Sequence, residues 1–305
     1  MSDPLMELTD EELDFLAENI EHFDENDFSE LEVILDEVEK RRSAKECRED
    51  LIAFCCAMQP DYKVGKHHRR LADQLMAVAE GQKDRICVNI PPRHGKSHLV
   101  STYFPAWFLG QFPDKKIIMA THTAGLSEDF GRRVRNLIDG EEYHDLFPHT
   151  LVAEDQKAAG KWSTSVGGQY YAAGVGGALA GRGADLFVID DPHSEQDVKI
   201  NSRLAFDTAW SWFQTGPLQR LMPGGAIILI MTRWSKLDLT GRLIDYQTKN
   251  DIPEEDRWEI VELPAILNEG TDKEKSLWPD QWPLDSLKAK KQAMDPQYWN
   301  AQYMQ

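Results

Sequence analysis

The apolar positions of this chain follow two periods, and each period marks a kind of element. In residues 9–22, Leu13, Leu16 and Ile20 share one helical face behind the capping pair Thr9 and Glu12. Ser29 and Glu32 repeat that signature, and Leu31, Ile34, Leu35 and Val38 form the next stripe, which predicts a long second helix with a break near Ser43. Gln59-Pro60 stops it. Leu71, Leu75 and Val78 predict a third helix, with Gly81 at its C-terminal cap. Leu126, Phe130, Val134 and Leu137 predict another. Residues 202–221, anchored by Trp210, Trp212 and Phe213, and residues 235–250 complete the main helices, and two short ones follow in the Trp/Pro-rich tail. Between them lie short β-branched runs of strand length: Ile86–Ile90, KKIIMATHT, Leu186–Ile189, AIILIMTRW and WEIVELPA. WSTSVGGQYYAAG alternates around Gly167-Gly168 as a hairpin does, and VGGALAGRGA is a glycine-rich bend.

Strands alternating with helices predict a doubly wound α/β sheet, whose ligands sit at the C-terminal ends of its strands. Two strand ends carry the chemistry. After Ile90 come Pro91, Pro92, Arg93, His94, Gly95, Lys96, Ser97 and His98, then an apolar helix. Strand, tight loop and helix with Gly-Lys-Ser is the layout that cradles phosphate, with Lys96 on the outer phosphates and Ser97 on Mg²⁺. Ile90 stands where that motif has its first glycine, and a helix start capped by Ser97 uses the same residues. The second end is Asp190-Asp191. Two carboxylates closing a buried strand are costly unless something positive meets them, and a Mg²⁺-nucleotide does so; a solvated Asp-Asp-Pro turn is the alternative. Thr232, at the tip of the next apolar strand, occupies a γ-phosphate sensor's position. His67 and His68 precede the loop as planar groups able to stack on a purine. Adjacent helix positions diverge, so the pair does not suggest a metal site.

Composition sharpens the outline. Among 305 residues the formal charge is −18, but residues 1–60 hold 19 acids against 5 bases, a net of −14, which leaves −4 for the rest. The acidity belongs to an N-terminal segment, either a solvated helix pair or a docking arm, and the body is close to neutral. Cys47, Cys55, Cys56 and Cys87 lack disulfide or metal spacing and read as reduced. The opening residues lack a signal-peptide pattern, and no apolar run reaches membrane-spanning length, so no membrane partner is expected.

Taken in order, PPRHGKS, GGQYYAAGVGGALAGRGADLFVIDDP, PGGAIILIMTRW and LWPDQWPLDSL resemble the large terminase subunit of tailed bacteriophages, over roughly residues 60–305. The resemblance implies a P-loop NTPase of the additional-strand type: a mostly parallel central sheet with helices on both faces, behind the acidic helical arm. Together with the acidic segment marked out by charge, it divides the chain into arm 1–60, ATPase core 61–265 and tail 266–305. It implies ATP and Mg²⁺ as cofactors, phosphate contacts from Pro92 to His98 with Arg93 on the γ-phosphate, and Asp190 with Ser97 on the metal. Asp191 would polarise the attacking water, where many relatives have Glu, and Thr232 would couple phosphate loss to movement. Many relatives carry a ring-completing arginine where this chain has Ala180, and Arg182 is the nearby substitute. The implied partners are double-stranded DNA, the portal protein, the small terminase subunit and further copies in a homo-oligomeric ring. The implied location is the host cytoplasm, transiently at the procapsid portal vertex and not in the mature virion. No nuclease-like acidic cluster follows Trp234, so DNA cleavage is not expected of these residues. Three rival readings remain: a helicase-like P-loop translocase, a metal-dependent hydrolase using His67, His68, His193, Asp190 and Asp191, and a non-catalytic scaffold.

Overall fold

The computed structural model describes Thr9 and residues 28–305. The expected first helix over 9–22 lies outside the described residues but for Thr9. The helix Phe28–Glu49 runs unbroken through Ser43. The break comes at Asp50, whose carboxylate accepts from the N–H groups of Ile52 and Ala53 and caps a new helix, Leu51–Met58.

Eight strands form the main sheet in the order β3-β4-β5-β2-β6-β7-β1-β8. They are β1 (Arg85–Asn89), β2 (Lys116–Thr121), β3 (Val152–Ala158), β4 (Lys161–Thr164), β5 (Gln169–Gly174), β6 (Ala184–Asp190), β7 (Leu221–Met231) and β8 (Glu259–Glu262). From β5 to β8 every pairing is parallel, while β4 and β3 extend the sheet antiparallel. β4 and β5 are the hairpin expected at Gly167-Gly168. β7 lies between β1 and β6, so a strand is inserted between the strand that feeds the Gly-Lys-Ser loop and the strand that ends in Asp190. That is the additional-strand arrangement.

The central strands are buried on both faces, and their alternation sorts side chains into two layers. Ile86 and Val88 of β1, Leu186 and Val188 of β6, and Ile228 and Ile230 of β7 face one layer with Phe54, Leu71 and Phe104. Cys87, Phe187, Ile189, Ile227 and Leu229 face the other, with Trp212, Phe213, Leu239 and Leu243. Each such side chain contributes about 1.5–3 kcal/mol relative to exposure. Leu51, Phe54 and Cys55 are fully buried in the first layer, so residue 60 does not separate two packing units. The tail adds a short pair, β9 (Ile266–Leu267) with β10 (Lys275–Ser276), and the helices Leu284–Ala293 and Pro296–Met304. Ala265, Ile266, Leu287, Trp299 and Tyr303 make a small core of their own there. Among the described residues no helix is long and apolar enough to cross a membrane.

Candidate active site

The loop after β1 is shaped by two left-handed residues, Arg93 (φ 62°) and Gly95 (φ 80°). Gly95 has a second reason to lack a side chain, because a Cβ there would stand 2.2 Å from His68 Nε2. Behind the loop, His67 Nε2 and His68 Nε2 each donate to the His94 carbonyl at 3.0 Å. His68 Nδ1 accepts from the Gly65 N–H at 2.9 Å, which fixes its proton on Nε2. Burial pushes the His68 pKa down to about 3, with neighbouring His67 adding to it, and lowers that of His67 too. His94 Nδ1 donates to the Pro92 carbonyl at 3.0 Å, and burial pushes its pKa down to about 4.

The expected purine contact by His67 and His68 is therefore corrected. Both imidazoles are 98–99% buried and spend their donors on the loop backbone, so neither presents a face to a base.

The helix beyond the loop begins with one turn at Lys96–His98, widens to a π-segment over Leu99–Tyr103 and finishes over Phe104–Gln111. Pro105 cannot donate and crowds the carbonyl four residues back, so an inserted residue here relieves it. Ser101 lies in the widened turn and donates to Asp190 Oδ2 at 2.7 Å.

Parallel pairing brings the two motifs together. Asp190 stands level with Ile230 of β7, and β7 with β1, so the three strand ends meet at one edge. Lys96 Nζ lies 2.6 Å from Asp191 Oδ2. Asp191 turns back at φ 44° and accepts from the Thr232 N–H at 2.7 Å through Oδ1. Asp190 is 98% buried and its Oδ1 has no hydrogen-bond partner. Burial, reinforced by Asp191, pushes its pKa up to about 6 against the opposing Lys96, Ser101 and Ser97. Burial by itself would lower the Lys96 pKa, but Asp191 and Asp190 hold it above the usual lysine value.

A cleft of about 930 Å³ opens over this edge. Pro92, Arg93, Gly95, Lys96, Ser97, His98, Asp191 and Thr232 line it. His94 and Asp190 are buried just beneath. Arg182 is not among its lining residues: its guanidinium lies 3.5 Å from the centre of the Tyr171 ring, on the sheet face. Sequence reasoning missed His122 at the tip of β2 and the far wall, where Trp278, Gln281 and Trp282 come from the tail; His193, named only for the metal-hydrolase alternative, lines the cleft as well. His193 Nε2 accepts from the Leu239 N–H at 3.0 Å, which leaves the proton on Nδ1. The richness of the tail in Trp and Pro was visible, but its partner was not. The metal-hydrolase alternative finds no support, since among the described residues no group of three or more His, Cys, Asp or Glu could hold a metal ion. A metal that needs only Asp190 and Ser97 from the protein, completing its shell with phosphate and water, fits better. The unpartnered Asp190 Oδ1 is the acceptor such a cation would satisfy.

No protein-family model matches the chain, and no curated protein matches it either. Solved structures do. The large terminase of a thermophilic bacteriophage in complex with ADP is similar over 76% of this chain and 52% of its own, with 11% identity and a TM-score of 0.42. The same terminase in complex with ATP-gamma-S matches with 12% identity and a TM-score of 0.43, over 76% of this chain and 51% of its own. The ATPase domain of the Thermus phage P74-26 large terminase matches with 12% identity and a TM-score of 0.46, over 75% of this chain and 91% of its own. The chain thus spans about half the length of the first of these terminases.

Proposed function

We propose that this chain is an ATP-hydrolysing motor domain of the terminase large-subunit type, which drives double-stranded DNA into a procapsid. The observation that carries the proposal is the meeting of Lys96 with Asp191, beside a buried Asp190, at the mouth of one cleft. Two motifs far apart in sequence converge where a nucleotide triphosphate needs both.

The chemistry follows from charge. Lys96, held by Asp191 in this structure, exchanges its carboxylate partner for the outer phosphates of ATP, and Arg93 adds a second positive group from the exposed rim. Asp191, released by Lys96 but still bound by the Thr232 N–H, is free to hold the attacking water. Asp190 and Ser97 would hold Mg²⁺, which would supply positive charge to offset that of the phosphates. Thr232 senses the site through the Asp191 carboxylate, as a positioning residue. Arg182 lies off its own cleft, and we assign it the task of completing a neighbour's site in a ring, a contribution of about 10³–10⁵ in rate for an arginine supplied in trans. In this reading the ring docks on the portal protein in the host cytoplasm with the small terminase subunit, and grips DNA chiefly by its phosphates, so binding falls steeply with salt.

The test is ATPase rate against protein concentration for wild type, Lys96→Ala, Asp191→Asn and Arg182→Ala. The first two variants should be inactive, and Arg182→Ala mixed with Lys96→Ala should regain turnover. A wild-type rate per subunit that is fast and independent of concentration overturns the ring, and a fully active Lys96→Ala overturns the ATPase reading.

A further inference from the structure

The loop backbone is held from two sides. From within the core, His67 and His68 grip the His94 carbonyl. From the tail, Trp282 Nε1 donates to the Arg93 carbonyl at 3.1 Å. No described peptide bond is cis, and in a trans peptide the carbonyl of one residue and the N–H of the next point to opposite sides. Fixing the His94 carbonyl on the histidines therefore turns the Gly95 N–H away from the buried layer, and fixing the Arg93 carbonyl sets the plane that carries the His94 N–H. These amides belong to the stretch that presents donors to an anion.

Trp282 has neighbours that connect it to the tail's own core. Its ring stacks on His94 at 6.1 Å and 21°. Lys290 Nζ sits 4.8 Å from its centre and 5.0 Å from that of Tyr303, which stacks on Trp299. Trp278 packs edge-on against His68 at 4.8 Å and His67 at 5.3 Å. A series of contacts, bridged between Trp282 and Tyr303 by the Lys290 ammonium, thus runs from the phosphate loop to the core at Leu287, Trp299 and Tyr303.

We propose that Trp282 is a positioning residue for the phosphate loop, so that triphosphate affinity depends on docking of the segment 266–305, and triphosphate binding tightens that docking in return. The proposal rests on the reading of the cleft as a nucleotide site. The reciprocity follows from linkage: whatever factor docking adds to affinity, binding adds to docking.

The experiment titrates ATP-gamma-S with Mg²⁺ into wild type, Trp282→Phe, Lys290→Met and Lys96→Ala by calorimetry, and follows proteolysis of the exposed turn at 268–274 with and without nucleotide. Trp282→Phe keeps a ring on His94 but removes the donor, and should weaken binding by about five- to tenfold. Lys290→Met, which leaves the loop's hydrogen bonds intact, should weaken it by about two- to fivefold through looser docking. ATP-gamma-S should protect the turn in wild type and lose that effect in Trp282→Phe. Wild-type affinity within twofold in Trp282→Phe, or a cleavage rate that nucleotide leaves unchanged in wild type, overturns the proposal. Binding by Lys96→Ala equal to wild type would instead sink the nucleotide reading on which it rests.

Discussion

Gly95→Ala tests the loop's construction most directly. Two costs add. At φ 80° a residue with a Cβ loses about 1 kcal/mol, the lower end of the left-handed penalty. The new Cβ would also stand 2.2 Å from His68 Nε2, 3.0 Å from Cε1 and 3.2 Å from Cδ2. The ring cannot simply swing aside, because Gly65 N–H binds one nitrogen and the His94 carbonyl the other. The His94 carbonyl keeps His67 if His68 leaves, so its loss is small, but the buried Gly65 N–H would be orphaned at about 1–3 kcal/mol. The total is about 3 kcal/mol, a large share of an ordinary domain's 5–15 kcal/mol. Urea denaturation of wild type, Gly95→Ala, His68→Ala and the double variant reads it. With the ring gone only the left-handed term remains, so the substitution should cost about 1 kcal/mol in the His68→Ala background, a coupling of about 2 kcal/mol. Equal cost in both backgrounds, or a single-variant loss below about 0.5 kcal/mol, refutes the argument.

Acid should destabilise the fold from near pH 6.5 downward. His67, His68, His94 and His193 all have depressed pKa values through burial, the last three to about 3, 4 and 4. Below the unfolded value of about 6.5 the unfolded chain binds protons that the folded chain refuses, at up to about 2 kcal/mol per histidine by pH 5. Asp190, raised to about 6, runs the other way, as a liability above that pH that fades below it, and one carboxylate does not offset four imidazoles. Urea midpoints that stay flat from pH 7 to 5 would contradict this. Ser101→Ala removes the hydrogen bond that holds Asp190 down, so the acid limb of the ATPase profile should move to higher pH by about half a unit to one unit, and an unmoved limb would mean that Asp190 is not the group titrating. Lys96→Met should lose nucleotide binding in calorimetry while costing about 1–3 kcal/mol of stability, less than a fully buried pair because Asp191 stays about a third exposed and keeps the Thr232 N–H.

The sheet was legible because burial on both faces writes itself into sequence as runs such as Leu186–Ile189 and Ile227–Met231, which polar loops interrupt. β3 was not legible, because VAEDQKA carries no apolar alternation and owes its conformation to pairing with β4. The same division runs through the site. That Gly95, Lys96, Asp190 and Asp191 belong to one place could be read, because a Gly-Lys-Ser turn and paired aspartates are uncommon at strand ends. The groups that hold them could not. Ser101 reaches Asp190 from a widened turn ahead of Pro105, and nothing in the local pattern says which way a serine in an apolar helix will face. His67 and His68 read as ligand contacts because planar imidazoles ahead of a phosphate loop can stack on a purine. The structure instead uses them where a buried carbonyl needs donors, a demand set by the loop's path 26 and 27 residues later. Trp282 donates to the exposed Arg93 carbonyl from 189 residues away. A backbone carbonyl has no sequence identity, so the side chain that satisfies it carries no motif. In the proposed phosphate site, the side chains assigned to the ligand are therefore written in residue type, while the parts that aim the backbone are written only in the fold.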